Sequence, residues 1–515
     1  MTRYIPPAPR VAAARGRVHR EPTPSPAAPP AQRDLRSPAA RNSRRDERQL
    51  WIPVGLLLVV ACAVMVRSVY AGLGGPLLLA MCLGAFSNPF SGLALVSASQ
   101  LVPDPDWSSG LSISSLVFAG WAATTLLRMA VGHRPRLPMK ALRLIVPVTV
   151  WASIAAITHG DLYIPNLLAR DGLYIVLFYD LFQRARCDVR RCTLAVLGGC
   201  CTAAFGYWAY RWGVDLVVSA VDSTGAIADL SRGWARIEFG RTDSNTIAVN
   251  ISTILAGIVA VVMSRGSGVR RGSRGAAVMS LGVAGMVGAA MVPALAGTMS
   301  RGGLAELGAG LAVACLWLVV APRRGGKRRA GTVIGLVVTA LVVASALAFT
   351  PYGAETVARI VETQNFTAQQ GGLVAARGVT LRGTLDTVAG APLVGVSYQE
   401  FVDRYGLIPH SSFFDVSVGA GLPGLLLFVG CVASPFALAI RRGAWRELYL
   451  PVFVAYVCFV VYAGTISALS NKTFWCLWFL CLMNVEGRPS DPRVVRRSVL
   501  APRRLPASLP RTRAA

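Results

Sequence analysis

The chain has 515 residues, 54% of them hydrophobic and 15% charged, with a mean hydropathy of +0.51. That is too apolar for a soluble protein of several domains and too long for one compact soluble core. The net charge is +27, from 52 Lys+Arg against 25 Asp+Glu, and all but three of the basic residues are Arg; long apolar runs beside those arginines point to a lipid bilayer, not to nucleic acid.

Residues 1–48 are rich in Arg, Pro and Ala and show no apolar periodicity, which predicts a disordered basic tail. The first apolar stretch begins only at Trp51 and many others follow, so a cleaved signal peptide is not expected. Apolar stretches near the ~20 residues a helix needs to cross a bilayer then fall at roughly 51–66, 73–88, 90–102, 110–131, 143–158, 162–183, 192–212, 245–264, 276–297, 302–321, 330–350, 412–440, 448–466 and 471–485. The early ones are short, so the expectation is an all-α, polytopic integral membrane protein with about 12 (12–14) transmembrane helices over residues 49–487. Residues 488–515 form a second basic tail. An even number of spans puts both tails on one side.

Arginine placement orients the spans. Clusters at the N-tail, 133–143, 184–191, 265–274, 323–329, 441–446 and the C-tail occupy alternate connections, which the positive-inside rule assigns to the cytoplasm. Both termini are therefore expected to be cytoplasmic, at the cell membrane. Two long connections, 213–244 and 351–411, fall on the opposite, extracytoplasmic side, the second holding short helices, and chemistry is expected there.

Four segments face that side. In the first loop, Phe239-Gly-Arg-Thr-Asp-Ser-Asn245 runs into a helix that Asp243 or Ser244 can cap, so Arg241 lies near a helix N-terminus favourable to an anion. Arg232 and Arg236 read better as solvated charges. Thr298-Met-Ser-Arg-Gly-Gly303 opens an apolar helix with Arg301 at its mouth, where a guanidinium can hold a phosphate in a bidentate fork. Residues 378–395 read as an amphipathic helix ending before Pro392, which presents Arg382, and Arg377 less directly. His410 and Ser411 are followed by nine residues and then Gly421-Leu-Pro-Gly424; a neutral imidazole at that position can take a proton from a hydroxyl near neutral pH.

Other signals are weaker. Asp104-Pro-Asp106 reads as a polar connector, and Arg170-Asp171 interrupts an apolar run, where charge is costly and often functional. The 11 Cys, among them Cys62, Cys82, Cys315, Cys431 and Cys458, show no CxxC spacing and read as small buried hydrophobes. The four His show no metal-ligand pair, and neither a Walker A loop nor a GxSxG nucleophile motif occurs. No metal and no cofactor is expected.

The ordered set Ser300-Arg-Gly-Gly303, a helix pair, an Arg-bearing loop helix with Ala391-Pro-Leu-Val-Gly-Val396, and the His motif resembles the O-antigen ligase and O-antigen polymerase superfamily. The likeness covers about 240–430, and Ser300, Gly302, Ser411, Gly421 and Gly424 are the supporting motif positions. Most members carry Asn after the His, where this chain has Ser411. The resemblance implies a membrane glycosyltransferase without nucleotide or metal. It would move a glycan from a polyprenyl-diphosphate donor to a sugar hydroxyl acceptor on the outer face, and it leaves ligase and polymerase open. His410 and Arg301 would be catalytic, and Arg241, Arg301 and Arg382 would bind the diphosphate. The alternative reading is a transporter or flippase of lipid-linked oligosaccharides, which would need charged groups at mid-membrane depth.

Overall fold

The structure, a computed structural model, describes residues 84–99, 113–132, 137–222, 244–265, parts of 285–299, 300–320, 373–406, 408–409, 411–443, 448–469 and 471–486, all within one compact unit, Leu50–Ala515. These residues hold helices and no strand: α1 Pro89–Ala98, α2 Ile113–Ala130, α3 Met139–His159, α4 Tyr163–Arg184, α5 Val189–Asp222, α6 Ser244–Arg265, α7 Arg301–Val320, α8 Leu373–Gly390, α9 Tyr398–Tyr405, α10 Ser412–Arg441, α11 Leu450–Thr465 and α12 Lys472–Glu486. The spans expected at 51–66 and 330–350, both tails, Asp104 and Asp106 lie outside the described residues.

Among the described residues, three helices are long and apolar enough to cross a membrane by length and composition: Met139–His159, Asn245–Met263 and Ser412–Arg441. The apolar stretches Pro89–Ala98, Gly302–Trp317 and Leu450–Thr465 are shorter. The expected span at 90–102 becomes the 10-residue α1, about 15 Å long and too short to cross. The expected span at 192–212 instead lies inside the 34-residue α5. α4 is 22 residues long, but Arg170, Asp171, Asp180 and Arg184 dilute its hydropathy. The protein is a membrane protein by these apolar helices.

α3 shows the inverted logic of a helix in lipid. Ala141, Ile145, Val148, Ala152, Ala155 and Ala156 are buried against neighbours, while Val146, Val150, Ile154 and Ile157 are exposed along one stripe. Small residues inward let backbones approach, and branched ones outward meet acyl chains. Gly160 ends the helix in the left-handed region, its N–H donating to the Ala156 carbonyl at 2.7 Å.

α6, α7 and α11 pack mutually, α3 packs on α10 and α4, and α1 on α5. A Cβ at Gly303 would lie 2.6 Å from Ala248 Cβ, and one at Gly310 2.7 Å from Cys458 Sγ. Only glycine permits this α7 seam. Cys431 and Cys458 are buried as expected, whereas Cys315 is exposed on the opposite face of α7.

Helix ends segregate. Lys140 pairs with Glu486 at 3.2 Å and Arg442 donates to the Val485 carbonyl at 3.1 Å, so the start of α3 and the ends of α10 and α12 share one end of the bundle. The described residues of the Arg clusters at 133–143, 184–191 and 441–446 belong to connections at that end. The starts of α4, α6, α7, α10 and α12 and the ends of α3 and α11 share the other.

Candidate functional site

The Ser300-Arg-Gly-Gly segment forms the start of α7. Ser300 accepts from the Gly303 N–H at 3.1 Å and donates to Asn245 Oδ1 at 2.7 Å, so one hydroxyl caps α7 and ties it to the first turn of α6. Ser252 donates to the Gly303 carbonyl at 2.7 Å. Arg301 is the first residue of α7, where the unpaired N–H groups of a helix start favour an anion.

Next in sequence to Asn245, Thr246 bonds the Tyr462 hydroxyl at 2.7 Å. Ser411 donates to the carbonyl of Ala463 at 3.2 Å. The last turn of α11 therefore carries, on adjacent residues, the attachments of both motif segments. Ser411 also caps α10 by accepting from the Phe413 N–H at 3.3 Å, and Ser412 accepts from the Ala468 N–H at 2.6 Å.

The spacing from Ser411 to Gly421 has a structural cause. α10 runs regularly to Ala420 and breaks at Gly421, whose φ of 63° and ψ of −168° lie in a region essentially restricted to glycine. Pro423 has no N–H to offer the Gly419 carbonyl. The carbonyls freed at the break are taken by other elements. Val418 O accepts from the Val396 N–H at 2.7 Å, Ala420 O from Trp151 Nε1 at 2.9 Å, and Gly419 O lies 3.3 Å from His159 Nε2, which requires the Nε2–H tautomer. The Leu422 N–H turns instead to the Pro392 carbonyl at 2.8 Å. Residues 391–396 are thus docked into the break. Gly395, at φ 72°, and Gly421 allow the contact, because a Cβ at either would meet opposing backbone within 3 Å. Gly424 is close to Ala420 and Trp151.

Of the remaining predicted residues, Arg241, Asp243 and His410 lie outside the described residues, as do Arg232 and Arg236. Arg382 is described and exposed on α8, whose opposite face buries Thr380, Thr384 and Thr387. α8 begins at Leu373, earlier than expected, and ends at Gly390, before Pro392 as expected. The structure joins Ser300, Ser411 and their helix starts through α11; it does not turn Arg382 into the buried interior.

Several groups at this end were not singled out from sequence. Glu306 is fully buried, neither carboxylate oxygen has a partner, and a Cβ at Gly302 would lie 3.5 Å from its Oε1. A lone Glu in an otherwise apolar helix was the available signal. Asp415, one turn below Ser411, is 2% exposed with Oδ1 unpartnered. Asp161 accepts from the Tyr163 N–H at 2.8 Å and from the Tyr398 N–H at 2.5 Å. The rings of these two tyrosines meet at 4.5 Å. Burial, then the Asp415 carboxylate, pushes the Tyr398 phenol above its usual range.

Deeper lies the pair flagged in α4. Asp171 is fully buried, and neither of its oxygens makes a hydrogen bond. The Trp475 indole is close but donates to the Leu469 carbonyl at 3.2 Å. Arg170 and Lys472 both sit over the Tyr174 ring, at 5.9 and 5.4 Å. Asp171 is eight residues into α4, about 12 Å along its axis.

No curated protein matches the chain. Over residues 286–429 the chain is similar to the family whose model is described as O-antigen ligase, and that stretch holds Ser300, Arg301, the docked 391–396 segment, His410, Gly421 and Gly424.

Proposed function

We propose that the protein is a glycosyltransferase that moves a glycan from a polyprenyl-diphosphate donor to a sugar hydroxyl on the extracytoplasmic face of the membrane. The likeness of residues 286–429 to the O-antigen ligase family supports the class, a glycan-transferring membrane enzyme. The observation that carries the reading is the shared anchorage of the two motif segments on the end of α11: Asn245 holds Ser300, Thr246 holds Tyr462, and Ser411 holds the Ala463 carbonyl. Residues flanking an arginine and a histidine more than 100 positions apart are thereby held to one helix end.

In the proposed reaction the acceptor hydroxyl attacks the anomeric carbon of the lipid-linked sugar, with inversion. The bond from that carbon to the diphosphate oxygen breaks, and its electron pair leaves with the polyprenyl diphosphate. Arg301 and Arg241 stabilise the charge growing on that oxygen, with the exposed Arg382 of α8 as the third guanidinium. One preorganised donor of this kind contributes ~3–4 kcal/mol. His410 takes the proton of the attacking hydroxyl, which contributes about 10²–10⁴ in rate. Excluding water from the reacting sugars limits hydrolysis. The donor's own diphosphate supplies the driving force, and the chemistry asks for no metal. Both termini are cytoplasmic in this arrangement.

A specific observation favours a second reading, a flippase: Asp171, Lys472 and Glu306 are buried within apolar helices, where charge commonly marks a route. Purified protein in liposomes with a labelled polyprenyl-diphosphate glycan decides between them. Transfer to an added acceptor, lost in Arg301→Ala, supports the enzyme; glycan crossing the bilayer without acceptor, with no transfer product, overturns it.

A further inference from the structure

At the same end of the bundle, but on α4 and α9, lies a group of side chains that the transfer chemistry above does not use. Tyr163 starts α4 and Tyr398 starts α9. Asp161 fixes both starts by accepting their backbone N–H groups, one on each oxygen, which spends its carboxylate on structure. The two rings meet at 4.5 Å with their planes tilted by 38°, so they do not close face to face, and Tyr163 remains 46% exposed. Asp415 lies one turn before Gly419, which packs on Ile164 next to Tyr163, and less than a turn before Val418, whose carbonyl accepts from the Val396 N–H two residues ahead of Tyr398. Asp415 itself is 2% exposed, and its Oδ1 has no partner.

A buried acceptor without a donor is costly, and the cost is removed when a ligand donates to it. The ligand must also cover aromatic faces. A neutral pyranose does both: its C–H face lies on the rings, and a hydroxyl reaches the free carboxylate oxygen. A quaternary cation is recognised by rings that cage it, whereas two rings whose centroids lie 4.5 Å apart, tilted by 38°, form a platform, which suits the C–H face of a sugar. A tyrosine pair that only marks the membrane interface would face lipid; this pair joins the starts of α4 and α9, both of which pack on α10.

We propose that Tyr163, Tyr398 and Asp415 form a saccharide-binding subsite, with Asp415 Oδ1 accepting a sugar hydroxyl and the two rings supporting the sugar's apolar face. Asp415 donates its backbone N–H to the Ser411 carbonyl at 2.8 Å, which sets the subsite one helical turn from the His motif. On the reading given under Proposed function, and resting on it, the bound sugar is the acceptor, held with a hydroxyl toward position 410.

Saturation-transfer NMR on the full-length protein in detergent tests the subsite directly, with methyl glucoside, methyl galactoside, methyl rhamnoside and methyl N-acetylglucosaminide as probes. At least one glycoside gives signal with the wild type, and Asp415→Asn and Tyr398→Ala each weaken it about tenfold or more. Tyr163→Ala, at an exposed ring, weakens it while leaving thermal unfolding unchanged, which removes misfolding as an explanation. No signal from any glycoside, wild-type binding by the variants, or displacement by tetramethylammonium overturns the proposal. Binding without any glycan transfer by the wild type would sink the enzymatic reading and leave the subsite standing. Given transfer, Tyr163→Ala raises the acceptor KM about tenfold at unchanged donor KM; a shift in the donor KM instead overturns the acceptor assignment.

Discussion

The two motif-bearing helix starts are held by opposite means. α7 is positioned by close approach: Gly303 lets its backbone lie against Ala248, and Ser252 clasps the Gly303 carbonyl. α10 is positioned by interruption. Its helix opens at Gly421, and the freed carbonyls hold Val396, His159 and Trp151 from other elements. A seam of small residues sets a distance between two helices. A break with docked partners sets the position of a loop relative to a helix. The first tolerates no added volume, and the second tolerates no change in backbone conformation.

Substitution at the break should show the largest effect. Gly421→Ala must leave its present φ and ψ and would also place a methyl carbon 2.5 Å from the Leu393 carbonyl oxygen. A loss of at least ~3 kcal/mol is expected, read as a large fall in the thermal unfolding temperature in detergent together with lost glycan transfer. Wild-type stability would contradict the account of the break.

Gly303→Ala comes next. Its methyl would lie 2.6 Å from Ala248 Cβ, and a cost of about 1–3 kcal/mol is expected. Ala248→Gly removes the opposing methyl, so the double variant should recover ~1 kcal/mol or more of that loss. Strict additivity in thermal unfolding would show that the seam is not what sets α7.

The caps sharpen the comparison. Ser411→Ala removes an acceptor for the Phe413 N–H and the bond to Ala463, at a cost of ~1 kcal/mol. Ser411→Asn keeps a capping side chain and should fall within about 0.5 kcal/mol of wild type. The smallest effect belongs to Arg404→Ala in α9, whose pair with Glu400 is half exposed and worth about 0.3–0.5 kcal/mol; a larger loss would mean that α9 does more than seat Tyr398.

Much of the fold was legible because apolar runs of helical length leave few choices in a bilayer. The expected stretches at 143–158, 162–183 and 412–440 correspond to α3, α4 and α10 within a few residues. The motif residues were also legible, since Ser300 and Ser411 are capping residues immediately before helix starts. The break in α10 was not. Gly421 and Pro423 were seen as a motif, but an unbroken apolar run gives no sign that a distant segment, 391–396, will take over its hydrogen bonds. Glu306 and Asp415 stand in apolar runs as Asp171 does, but only their unpaired oxygens, visible in the structure, set them apart. α1 was misjudged in length because hydropathy alone does not fix where a helix stops.

The central claim is that Arg301 and His410 serve one transition state, and a double-mutant cycle on glycan transfer tests it most directly. Arg301→Lys keeps the charge and loses the bidentate fork; His410→Ala loses the base. Each single variant is expected to lower kcat/KM by about 10²–10³, and the double variant to fall little below the worse of the two, as for groups that act as a unit. Losses that multiply, or wild-type transfer by either single variant, would contradict it.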